Sequence, residues 1–196
     1  MPTGKPTPSI YQLKIRLLDI HPPIWRRIQV PNTISLCCLH DVFQLVMGWT
    51  DSHLHRFEKD GDCWGVPESD EFNELDLIDE RKTWLAQVLK AEGDSMVYLY
   101  DFVDDWRHQI TLEKIIPTSD GVKTPVCLGG KRRCPPDGVG GVSGYQEFLK
   151  FIVDPAHRND ELFIHYAGGL FRAEEFNLTT VNIILSRMPW HTRQRH

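Results

Sequence analysis

The chain has no Cys-x-x-Cys pair, no run of 18 apolar residues, no excess of basic charge and no internal repeat. Each absence removes a class of protein. Without cysteines at ligand spacing, the five thiols Cys37, Cys38, Cys63, Cys127 and Cys134 do not form a zinc ribbon, and they read as reduced, structural residues. Cys37 and Cys38 are neighbours in a helical stretch, where successive side chains diverge by about 100°, so they do not grip one ion together. The lack of a long apolar run excludes a membrane-spanning helix. The first nine residues hold Lys5 and three prolines but no apolar stretch, so they do not make a secretory signal and a cytoplasmic protein is expected. A net charge of -5 weighs against a general nucleic-acid coat, while leaving room for a local basic patch.

What is present describes one globular unit. With 196 residues and 41% hydrophobic content, the chain is expected to bury about 70% of its unfolded surface, enough for a core without disulfide or metal staples. A single domain over 9–188 is expected, between a flexible N-terminus (1–8) and a flexible basic tail (189–196) holding Arg193 and Arg195.

Residues 10–18 alternate in polarity, with Tyr11, Leu13, Ile15 and Leu17 on one face, and 24–30 repeat the pattern after Pro22-Pro23. This predicts an antiparallel pair of strands. Ser35 can cap a helix in which Leu36, Leu39, His40, Phe43, Val46 and Met47 share a face, with Gly48 as its stop. A strand over 53–58 and a short return at 63–65 flank the turn signal Asp60-Gly61. Residues 66–82 are acidic and read as a surface excursion, after which Thr83 caps a short helix through Leu85, Val88 and Leu89. Strands over 96–102 and 106–113 form the strongest hairpin, and 125–128 adds an edge strand. A Gly/Pro-rich loop over 129–144 leads to a helix beginning near Tyr145 and ended by Pro155; a short helix at 160–166 and a last one around Val181 to Met188 complete the chain. The expected fold is α+β, a largely antiparallel sheet with a helix after the first hairpin and a helical C-terminal third.

Three constellations carry chemistry. His53 and His55 alternate on a predicted strand, so they project from one face and could share a metal, with a third ligand from Asp101, Asp104, Asp105 or His108. The plain alternative packs one histidine under Trp49 or Trp106 and leaves the other solvated. Asp101, Asp104, Asp105 and His108 crowd one turn, where a carboxylate can hold an imidazole as a general base; equally, aspartates simply favour turns. Cys127 to Gly141 combines Lys131-Arg132-Arg133 with Pro135-Pro136 and several glycines ahead of a helix, a pattern suited to an anion, or to a loop that merely docks on the sheet. It lacks the phosphate-loop arrangement of an ATPase. Arg26 and Arg27, beside Trp25, are expected to pair with the acidic excursion from Glu68 to Glu80.

The segments Pro23-Ile24-Trp25-Arg26-Arg27, Leu39-His40, Met47-Gly48-Trp49, His53-Leu54-His55-Arg56-Phe57, Tyr100-Asp101-Phe102, Asp105-Trp106-Arg107-His108, Cys134-Pro135-Pro136, Gly140-Gly141 and Gly144-Tyr145, in this order, resemble the plasmid pRiA4b ORF-3-like family over roughly residues 9–188. The resemblance implies a compact α+β domain and an insertion-element passenger context, sometimes under a resolvase label, with no established reaction. Two positions depart from the family pattern. Val103 stands where a glycine is usual, and Pro135-Pro136-Asp137-Gly138 replaces the usual Pro-Pro-Glu-Asp. No activated serine among arginines supports resolvase chemistry.

These readings rank three functions. The first is an intracellular domain, linked to mobile elements, that binds a small anionic or peptide-like ligand or a protein partner. Its expected ligand-binding residues are Tyr100, Trp106, Arg132, Arg133, Gly140 and Gly141. The second is a metal-assisted hydrolase or nuclease with a divalent metal on His53 and His55, and His108, Asp101 and Asp105 as catalytic candidates. The third is a DNA-binding accessory protein, which the dispersed basic residues favour least.

Overall fold

The structure, a computed structural model, describes residues 8–69, 76–118, 125–153 and 171–190. Eight strands form one sheet: β1 (Ser9–Leu17), β2 (Trp25–Pro31), β3 (His55–Lys59), β4 (Asp62–Gly65), β5 (Ile78–Asp79), β6 (Ser95–Tyr100), β7 (Trp106–Pro117) and β8 (Val126–Lys131). Their order is β5-β4-β3-β6-β7-β1-β2-β8, with every pairing antiparallel except β4 with β5. Alternation sets the two faces. Leu13, Ile15 and Leu17 of β1 meet Ile28 of β2 and Ile110 and Leu112 of β7 in a buried layer, while Gln12, Lys14, Arg27 and Glu113 cover the opposite face.

Helix α1 (Leu36–Met47) lies on the buried layer through Leu36, Leu39, Val42, Phe43, Val46 and Met47. Its start is chemical: the Ser35 side chain accepts from the Cys38 N–H. Its end is conformational, since Gly48 takes φ +96° and donates its N–H to the Gln44 carbonyl. Two further helices, α2 (Leu85–Val88) and α3 (Gly141–Val153), are followed by α4 (Leu178–Arg187), which packs on β8 and α1. Asn182 of α4 hydrogen-bonds both the N–H and the C=O of Cys127, satisfying the edge of β8 as a further strand would.

The α+β fold with a largely antiparallel sheet is what the alternation predicts. The helical C-terminal third also expected is not found. Among the described residues only one short helix, α4, follows α3, and β8 runs on to Lys131, so the strand takes in two glycines expected in the loop. Gly130 is needed there, because a Cβ would lie 2.7 Å from Arg26 Cδ and 2.8 Å from Phe176. Helix α3 begins at Gly141, four residues before Tyr145. The helix expected at 160–166, and Arg193 and Arg195 of the basic tail, lie outside the described residues. All five cysteines are free thiols.

Candidate functional site

A pocket of about 460 Å³ opens where α1, the segment after it, the start of β3 and the chain after β5 meet. Its wall includes Cys37, His40, Asp51, His53, His55 and Glu80. His40 is one turn into α1, on the buried face. Gly48 ends the helix and the chain turns back, with Asp51 in the left-handed region at φ +57°, bringing the Asp51 carboxylate to 2.8 Å from His40 Nε2. His55 opens β3, in register with Tyr100 of β6, and its ring stacks on His40 with centroids 3.5 Å apart and planes inclined by 7°. The ligand atoms of His40, Asp51 and His55 all lie within 4.8 Å of one another.

A hydrogen-bond chain sets the proton positions. The Asp51 N–H donates to Gln44 Oε1 at 2.9 Å, which orients the amide so that Nε2 donates to the Tyr98 hydroxyl at 3.0 Å. The Tyr98 proton then goes to His40 Nδ1 at 2.8 Å, and the proton on Nε2 faces Asp51. Burial lowers the His40 pKa, opposed by the hydrogen bond to Asp51 and reinforced by the neighbouring His55. His40 is therefore a neutral imidazole near pH 7, the form that ligates metals. A cation held at Nε2 would take the place of that proton, and the ring proton would then sit on Nδ1, with the Tyr98 hydroxyl turned to accept it.

Two histidines and a carboxylate beside an open pocket are a donor set that could hold a metal ion. His53 and His55 both line this pocket, but β3 starts only at His55, and the two rings go to different carboxylates: His53 lies 3.5 Å from Asp101 and His55 lies 2.9 Å from Glu80. His55 meets instead two residues that the pattern had hidden. In the sequence His40 reads as a member of an apolar helix face, and Asp51 as part of a connection. Glu80 belongs to the segment expected as a surface excursion, yet it is 1% exposed, because β5 pairs with β4 and draws it inward. A histidine at an otherwise apolar helix position, followed at the helix exit by an aspartate, is the signal that could have found the pair.

The catalytic candidates separate. His108 is fully buried between Trp49 and Tyr98, where it donates Nδ1–H to the Tyr98 carbonyl, and burial pushes its pKa down to about 4. It does not reach the pocket wall. Asp105 pairs with Arg107 at the surface. Asp101 is buried, accepts the N–H groups of Val103 and Asp104, and turns its other oxygen to His53.

None of the six ligand-binding candidates lines this pocket. Trp106 is fully buried against Trp49, and Tyr100 is buried with its hydroxyl accepting from the Ser52 N–H. Arg132 is buried on Glu174 and the Pro22 carbonyl, and Arg133 lies over the Phe171 ring. The Gly140 N–H donates to Asp104, and Gly141 presses on the Asp104 carbonyl. None of Trp106, Arg132, Arg133, Gly140 and Gly141 lines the pocket. Nor, among the described residues, do Arg26 and Arg27 meet the acidic excursion. Arg26 is buried and donates to the carbonyls of Val46, Trp25 and Lys131, while Arg27 pairs with Glu113 on the outer face of the sheet; Arg81 holds Glu68 and Asp79.

Fold and pocket together define an α+β protein with one antiparallel sheet and a His/carboxylate cluster where α1 meets β3. The chain belongs to the plasmid pRiA4b ORF-3-like family, whose model matches residues 9–180. It is 38% identical over 161 residues to the uncharacterised protein y4hQ of Sinorhizobium fredii, covering 82% of each chain. It is also similar to the crystal structure of MM3350, a protein of unknown function from Methanosarcina mazei, with 37% identity, a TM-score of 0.78, and coverage of 89% of this chain and 98% of that one. Among the described residues, no helix is long and apolar enough to cross a membrane.

Proposed function

We propose that the protein is a divalent-metal enzyme of hydrolytic type, with His40, Asp51 and His55 as ligands and the adjoining pocket as the substrate site. One observation carries this reading: two histidines and a carboxylate converge within 4.8 Å on the wall of an open pocket large enough for a small molecule. Three protein ligands leave a coordination position for water, and the bound ion lowers the pKa of that water toward neutrality, producing a nucleophile. Mixed nitrogen and oxygen donors suit zinc or a neighbouring first-row ion better than magnesium or calcium, which prefer all-oxygen sites.

The charge of the wall supports a small substrate rather than a nucleic-acid strand. Asp51 and Glu80 contribute carboxylates, and Arg81 is engaged by Asp79 and Glu68. A phosphate-rich strand needs cations free to meet it. Elemental analysis of protein purified without chelator tests the proposal. About one equivalent of zinc, manganese, iron or cobalt per chain is expected, lost in His40→Ala; absence of metal, together with no heat on titrating zinc into the apoprotein, overturns it.

A further inference from the structure

His40 and His55 are stacked, yet their hydrogen bonds tie down different nitrogens. His40 is held at Nδ1 by the Tyr98 hydroxyl, so Nε2 is the nitrogen it offers to the pocket. His55 is held at Nε2 by Glu80 at 2.9 Å. With the Glu80 oxygen accepting, this nitrogen carries the proton and the free lone pair of His55 is on Nδ1.

Glu80 is built as a holder. Its N–H donates to the Gly65 carbonyl at the end of β4 at 3.1 Å, and its own carbonyl accepts the Cys37 N–H of α1 at 3.4 Å. The backbone is thus clamped between sheet and helix, and the side chain, 1% exposed, directs Oε2 at His55. The cluster whose ligand atoms converge contains His40, Asp51 and His55 and does not include Glu80. A carboxylate on the far N–H of a ligating histidine fixes the tautomer and the ring plane and raises the basicity of the ligating nitrogen.

We infer that Glu80 is the positioning residue of the metal centre, holding Nε2–H of His55 so that a divalent ion binds through Nδ1 of His55 and Nε2 of His40 together with Asp51. The inference rests on the metal reading above and adds to it a mixed pair of ligating nitrogens and a role for Glu80 outside the coordination sphere. It also accounts for a fully buried acid in a segment whose sequence is that of a solvated loop.

The test uses the full chain, with histidine labelled by ¹⁵N and loaded with ¹¹³Cd. One-bond cadmium–nitrogen couplings are expected at Nε2 of His40 and Nδ1 of His55. Coupling to Nε2 of His55 overturns the inference. In parallel, Glu80→Gln is loaded with Co²⁺: the glutamine oxygen still accepts from His55 but without charge, so Co²⁺ affinity should fall roughly 10- to 100-fold while the visible ligand-field bands keep their positions and intensities. Changed bands place Glu80 on the metal and overturn the inference, as does unchanged affinity. Failure of the metal reading itself is separately recognisable, because wild-type protein would then show neither cadmium couplings nor cobalt bands. The coupling experiment needs no variant, so a folding defect in Glu80→Gln leaves it decisive.

Discussion

The imidazoles of His40 and His55 lie face to face, with centroids 3.5 Å apart and an interplanar angle of 7°. Burial and the neighbouring ring both disfavour the protonated form of His40, so this face of the pair is presented to the pocket as a neutral imidazole.

The first prediction separates this pair from the histidine two residues before it. His40→Ala and His55→Ala should each weaken zinc binding by roughly 100-fold or more, since a lost ligand outweighs the loss of an outer-shell partner. His53→Ala, which removes a ring facing Asp101, should change it only a few-fold. Competition against a chromophoric chelator measures all three, and equal effects of the three variants would remove His40 and His55 as the distinguishing ligands.

A second concerns stability. The three ligands come from α1, the segment after it and β3, so an ion ties together parts of the chain that unfolding separates. Zinc at 100 times its Kd should stabilise the fold by about 2.7 kcal/mol, which for a chain of this length is a rise in Tm of roughly 5–10 °C. Thermal melts with zinc, and again after adding EDTA, check it; a Tm indifferent to both contradicts it.

His108 supplies a pH dependence. Its pKa is pushed down to about 4 by burial, against about 6.5 in an unfolded chain. Between these values the unfolded state binds the proton and the folded state does not, so stability falls as pH drops from about 6.5 to about 4, by an amount on the order of 3 kcal/mol, and this contribution is flat above that window. Urea midpoints at pH 7, 5.5 and 4.5 should show a shallower acid slope for His108→Leu than for the wild type. Parallel slopes would assign the acid sensitivity elsewhere.

Arg26 illustrates a charge used as scaffold. It is 2% exposed, donates to three backbone carbonyls and stacks on Phe176 at 4.1 Å. Arg26→Ala should destabilise the fold by about 3 kcal/mol or more, because it leaves those carbonyls buried without donors. Arg26→Lys should recover only part of this, since an ammonium lacks the planar fork. Chemical denaturation of both variants decides; a small loss in Arg26→Ala would show that the carbonyls find other donors.

Gly141 at the start of α3 combines φ +67° with a close approach, its missing Cβ pointing 2.7 Å from the Asp104 carbonyl oxygen. Gly141→Ala should cost about 1–3 kcal/mol through both effects. The same substitution at Gly138, which has positive φ and open space, should cost less, and denaturation midpoints that reverse this order would contradict the steric account.

The sequence by itself determined every strand of the sheet except β5, the helix from Ser35 to Gly48, the largely antiparallel class and the family, because these depend on short-range periodicity, caps and residues adjacent in the chain. It also placed His53 and His55 near chemistry. What only the tertiary structure decided was which histidine joins His55. His40 is 15 positions earlier on a helix, Asp51 follows that helix, and Glu80 stands beyond an acidic stretch; only the packing of α1 on β3 and the pairing of β5 with β4 bring them together. Likewise, of the arginines that suggest an anion site in the sequence, Arg132 is buried on Glu174 and the Pro22 carbonyl, and Arg133 lies over the Phe171 ring. A charged side chain becomes a site or a strut according to what long-range packing sets against it, and local pattern carries no record of that partner.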